Sequence, residues 1–132
     1  MMVVLFRDAE HESLYREYQQ RMRNYTSEFA AVAYLLAMDV VTRMHADEIY
    51  DFKKNAIKPD TALRKPWQTD SSRMTTRLAY NLWNGYAYTK DECGDLVNDR
   101  MYSPYWIFCN GGPGYTKYYI EAIKIRFGGC DE

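Results

Sequence analysis

The chain has 132 residues, of which 47% are hydrophobic and 27% charged, a globular composition that excludes an intrinsically disordered segment. At this length a single domain, residues 1–132, can bury a core without disulfide or metal staples. The net charge of −1 is unevenly spread, with −4 on residues 1–52, +5 on residues 53–77 and −2 on residues 78–132, so a uniformly basic nucleic-acid-coating domain is excluded as well.

Taken in chain order, the first six residues are apolar but lack a basic leader and run straight into Arg7-Asp8, so no targeting segment is expected. Asp8 can cap a first helix reaching about Arg23. Its apolar stripe is Leu14, Tyr15, Tyr18 and Met22, with Glu12/Arg16 and Glu17/Arg21 paired four apart on the other face. Thr26 or Ser27 opens a second helix whose interior, from Phe29 to Met38, is apolar on all sides. That run is about half the ~20 residues needed to cross a bilayer, so it reads as the buried centre of a core. Residues 39–58 carry mixed signals, with a helical turn at Val40–Met44 and another from Asp47 to Phe52 expected.

Pro59-Asp60 and Pro66 punctuate a loop, because proline lacks a backbone donor and turns its predecessor away from helix. A strong helix then starts at Thr69 or Asp70 and stops at Asn84-Gly85. Its predicted buried stripe is Met74, Leu78 and Leu82 beside Ala79 and Trp83, with Arg73, Arg77, Tyr80 and Asn81 facing elsewhere. Residues 90–100 are charged and read as a surface loop, with a short helix as the alternative. Ser103-Pro104 opens a short helix through Phe108, ended by Gly111-Gly112-Pro113-Gly114. A closing helix over residues 115–127 shows Lys117, Glu121 and Lys124 as its solvent stripe. The fold class predicted is all-α, a compact bundle of five or six helices around the second.

Chemistry-bearing patterns are sparse. Gly111 to Lys117 lacks the spacing of a phosphate loop and reads as a helix-breaking turn. His11 beside Glu12, and His45 near Asp47 and Glu48, are read as solvated side chains, since a zinc site needs three or four converging ligands. Cys93, Cys109 and Cys130 are an odd number without metal-ligand spacing, so reduced thiols and a cytoplasmic location are expected. Cys109, after Trp106, Ile107 and Phe108, is read as a buried structural thiol. No catalytic residue, metal or cofactor is assigned.

The basic block Lys53, Lys54, Lys58, Arg64, Lys65, Arg73 and Arg77 ends on the first turns of the helix after Thr69. Arg64, Lys65, Trp67, Arg73, Arg77 and Tyr80 are the candidate partner- or anion-binding residues, because arginine and large aromatic side chains anchor interfaces.

Several segments carry a resemblance. Trp67-Gln68-Thr69-Asp70-Ser71-Ser72-Arg73, with Thr76-Arg77-Leu78-Ala79-Tyr80-Asn81-Leu82-Trp83-Asn84-Gly85, resembles a family of small proteins of unknown function carried on mobile elements of Gram-positive gut bacteria. The opening Phe6-Arg7-Asp8-Ala9-Glu10-His11-Glu12, the Ile57-Lys58-Pro59 turn and the closing Ala122-Ile123-Lys124-Ile125-Arg126-Phe127 are similar too. The resemblance implies a mobile-element setting and no activity or cofactor.

Two expectations follow. The first is a non-catalytic protein–protein interaction protein that occupies another protein's surface, such as that of a bacterial defence nuclease, and so inhibits a host defence system. The second is a nucleic-acid-binding regulator that uses the basic segment 53–77 against phosphates.

Overall fold

The computed structural model describes residues 3–22, 26–110 and 114–128. At its centre lies helix α2, Ser27–Met38, in which every residue from Phe29 to Met38 is buried. A helix apolar all round must be enclosed. Helices α1 (Ala9–Gln20), α5 (Asp70–Asn84) and α7 (Thr116–Phe127) pack against it. Its last carbonyls, which have no partner within the helix, are met by arginines, as such ends require. Arg43 Nε donates to Ala37 O at 3.0 Å, and Arg7 Nη1 donates to Met38 O at 3.1 Å. Arg43 also pairs with Asp8 (3.2 Å) and Glu10 (3.1 Å), tying α1 to the end of α2.

Asp8 caps α1 by accepting from His11 N at 2.7 Å. The helix stops at Gln20, and Arg23, where it was predicted to end, lies outside the described residues. Arg16 pairs with Glu12, whereas Arg21 turns to Asp47 at 2.7 Å rather than to Glu17.

Residues 40–57 divide into α3 (Val40–Met44), α4 (Ala46–Ile49) and an antiparallel pair, β1 (Tyr50–Asp51) and β2 (Ala56–Ile57), in register Tyr50↔Ile57. The turn predicted to run through Phe52 ends at Ile49 because the chain extends at Tyr50 and reverses at Asn55, a left-handed residue with φ 54.

Helix α5 is bounded as predicted. Thr69 Oγ1 accepts from Ser72 N (3.0 Å) while Ser72 Oγ accepts from Thr69 N (2.7 Å), a reciprocal cap. Gly85 ends it at φ 79. Its buried arc differs from the predicted stripe: Ser72, Thr75, Thr76, Leu78, Ala79, Tyr80 and Leu82 face inward, and Met74 is only half-buried. The polar members are admitted because each is hydrogen-bonded, Thr76 Oγ1 to Ser72 O (2.8 Å) and Thr75 Oγ1 to the Tyr119 hydroxyl (2.9 Å).

Residues 90–100 are not simply a loop. Strands β3 (Tyr88–Lys90) and β4 (Leu96–Asn98) form an antiparallel hairpin with Lys90↔Leu96 nearest its turn, where Gly94 takes φ 86. A 3-10 turn, Arg100–Tyr102, leads to α6, Pro104–Asn110, opened by Ser103 Oγ accepting from Trp106 N at 3.1 Å. The predicted Gly111-Gly112-Pro113 turn lies outside the described residues. In α7, Glu121 leaves the predicted solvent stripe: it is buried, and its Oε2 accepts from Leu5 N at 3.0 Å.

Seven α-helices and two two-stranded sheets among the described residues make the fold mostly α, around one buried central helix. No helix among them is long and apolar enough to cross a membrane.

Candidate functional site, the α5–α6 cleft

Helix α5 presents to the surface the face its core arc leaves over, and Arg73, Met74 and Arg77 share it. Helix α6 stands alongside with Trp106 and Asn110, one turn apart, and Met101 of the 3-10 turn completes the lining. Together they enclose a cleft of about 310 Å³, with Asp70 at its rim. Arginine, methionine and tryptophan make a lining that is cationic, adaptable and aromatic at once.

The two arginines are held unequally. Arg73 donates from Nε to Leu63 O at 3.3 Å and lies 3.7 Å from the fully exposed Asp70. Arg77 rests over the ring of Tyr102 at 6.0 Å, and its buried Nε has no hydrogen-bond partner among the described residues. Arg100 lies over the Trp106 ring at 4.9 Å, and no carboxylate pairs with it among the described residues. Guanidinium groups on aromatic rings are attracted to the faces but keep their N–H donors for an anion. Tyr102 itself is buried, which pushes its hydroxyl pKa up, with Tyr86 adding to the rise and Arg77 opposing it.

The six candidate residues predicted from the sequence therefore fall into four places. Arg73 and Arg77 converge in the cleft. Arg64 bonds to Asp60 O and borders a second, smaller cleft with Pro59, Tyr86 and Tyr88. Lys65 lies 3.6 Å from Glu48. Trp67 stacks on His45 with ring centroids 4.0 Å apart and planes 2° from parallel, and its Nε1 donates to Glu48 Oε1 at 3.3 Å. The Glu48 carboxyl is held below its usual range, first by the His45 hydrogen bond and then by Trp67.

Tyr80 corrects the predicted surface set. It is fully buried, its hydroxyl donates to Ile49 O at 2.6 Å and accepts from Lys58 N at 3.3 Å, and it is a core strut between α5 and the residues that flank the β1–β2 pair.

Sequence reasoning missed Met101, Trp106 and Asn110 of the cleft, and Arg100 over the Trp106 ring. Trp106 carried a signal as an aromatic residue in a short capped helix, but nothing local linked it to Arg73 and Arg77 about thirty residues earlier.

Two readings of reactive groups are also corrected. Cys109 is exposed rather than a buried thiol. His11 is buried rather than solvated: Nδ1 accepts from Arg7 N at 2.9 Å, which leaves the proton on Nε2 to donate to Tyr34 O at 2.9 Å. Burial lowers its pKa to about 4, against a smaller raising effect of the Tyr34 carbonyl. Among the described residues no group of three or more His, Cys, Asp or Glu side chains is placed to hold a metal ion.

No curated protein and no solved structure is significantly similar to the chain. Over its whole length, residues 1–132, the sequence matches a family of unknown function, DUF6075, and the protein belongs to that family.

Proposed function

We propose that this protein is a non-catalytic interaction protein whose α5–α6 cleft receives an acidic surface of another protein. The observation that carries this reading is Arg77, a half-buried cation whose Nε has no acceptor among the described residues, beside Arg73 and the Trp106 ring. A buried donor left unmade costs free energy that an incoming carboxylate would recover, through a side-on pair with Nε–H and Nη–H once the guanidinium turns outward. The methionines and tryptophan around it would cover the apolar neighbours of that carboxylate. In the mobile-element setting that the resemblance implies, the partner is a component of host defence such as a nuclease, and occupation of its surface inhibits it.

The nucleic-acid reading has less support. The +5 segment does not present one cationic stripe: Lys58 donates to Asp47 O at 2.7 Å, Lys65 faces Glu48, and Arg64 bonds to Asp60 O. Phosphate recognition along a strand gains from aligned, unengaged cations.

Affinity capture from a lysate of the native host, with and without nuclease, tests the proposal. The wild type should retain a nuclease-resistant protein partner. The R73E/R77E variant, checked for helix content by circular dichroism, should lose at least about tenfold in recovery, as expected for interface anchors. Unchanged capture by a folded variant overturns the assignment of the cleft. Recovery of nucleic acid alone, abolished by nuclease and steeply weakened by salt, moves the assignment to the regulator.

A further inference from the structure

The chain also carries an acidic counterpart to its basic cleft. Every residue of the β3–β4 hairpin from Tyr88 to Asn98 is exposed. Its turn holds Asp91, Glu92 and Asp95, while its one cation, Lys90, is drawn back to Asp60 at 3.8 Å. The tip is therefore anionic, and behind it Tyr88, Leu96 and Val97 leave apolar surface open to solvent. Two strands with both outer edges unpaired among the described residues gain little stability alone and are completed by added contacts. The cleft offers the complement in both respects, with Arg73 and Arg77 for the carboxylates, Arg100 next to it over the Trp106 ring, and Met74, Met101 and Trp106 for the apolar flank.

We infer that the acidic β3–β4 arm of a second copy of this chain occupies the α5–α6 cleft, two copies exchanging arms about a twofold axis. This deepens the reading of the cleft as an acceptor of acidic protein surface, and rests on it. One copy has one arm and one cleft, so a twofold pair satisfies both sets and closes, without leaving a sticky end for chain growth. The consequence is regulatory: the dimer masks the cleft, and an acidic partner must displace the arm to bind.

Complementary charge reversal provides the test, because exposed arm positions tolerate it. Asp91 is spared, since its Oδ1 accepts from Cys93 N and Asp95 N at 2.9 Å and shapes the turn. In analytical ultracentrifugation at micromolar to millimolar concentration, the wild type should approach twice the 15.6 kDa chain mass. E92K/D95K and R73E/R77E should each stay monomeric. Mixed in equal amounts, the two variants should form a heterodimer, because each arm then meets a cleft of opposite sign. The single variant R73E serves where R77E unfolds.

Position is tested separately by a short bismaleimide in a Cys130→Ser background. Cys93 sits in the arm's turn and Cys109 on α6 beside Asn110, both exposed. An inter-chain Cys93–Cys109 crosslink, lost in C93S, places arm on cleft. A monomeric wild type at every concentration overturns the inference, as does a dimer that survives both charge reversals or crosslinks only Cys93 to Cys93. A monomeric wild type whose capture of a partner still depends on Arg73 and Arg77 overturns self-association alone and leaves the proposed function standing.

Discussion

His11 and Tyr80 show how single side chains connect the elements of this fold. His11 is held neutral by its position, with one ring nitrogen accepting and the other donating inside the α1–α2 contact. Its folded pKa of about 4 lies below its ordinary 6.5, so between those values the unfolded chain binds a proton that the folded chain does not. Stability from this group is complete above about pH 6.5, falls as pH drops towards 4, and levels off below. Urea melts across that window should show the fall in the wild type and a smaller one in His11→Gln, which has no imidazole to charge. Tyr80→Phe removes the donor that meets Ile49 O in the core and should cost about 1 kcal/mol in the same measurement. A loss near zero would mean that the hydroxyl contributes nothing to holding Ile49 and Lys58 against α5.

The elements were legible in proportion to their length and their end signals. Helix α5 appears in the sequence from cap to stop because Thr69 and Gly85 declare its ends locally. Thr69→Ala should lose about 1 kcal/mol through the missing cap. Gly85→Ala should lose a similar ~1 kcal/mol by forcing a Cβ into the left-handed region, since that Cβ would meet no other atom within 4 Å. Thermal melts check both, and a Gly85→Ala variant as stable as the wild type would show that the stop is not held by φ. Short elements were illegible for a complementary reason. Strands of two or three residues are too short to show a repeated two-residue alternation, so β1, β2, β3 and β4 left only turn residues as traces. By composition alone the exposed arm is indistinguishable from a charged loop.

For the whole molecule, the candidate site was half legible. Arg73 and Arg77 stand four apart on a well-marked helix, and that spacing alone puts them on one face. Trp106, Met101 and Asn110 reach the same cleft only because α6 docks beside α5. Tertiary packing also turned Tyr80 and Glu121 inward against their predicted exposure, Tyr80 onto the Ile49 carbonyl and Glu121 onto the Leu5 N–H. It also left Cys109 outside, where an apolar run had pointed to burial.

The sequence by itself determined a mostly helical fold, the all-apolar α2 that must lie at its centre, and the capped limits of α5. These are properties of adjacent residues, in which side-chain pattern and terminal hydrogen bonds decide the outcome locally. Only the tertiary structure decided which cations converge, which polar groups are buried with partners, and that a basic cleft and an acidic arm occur on one molecule. Those depend on contacts between residues far apart in the chain, whose geometry is set by how the helices enclose α2 rather than by any local pattern.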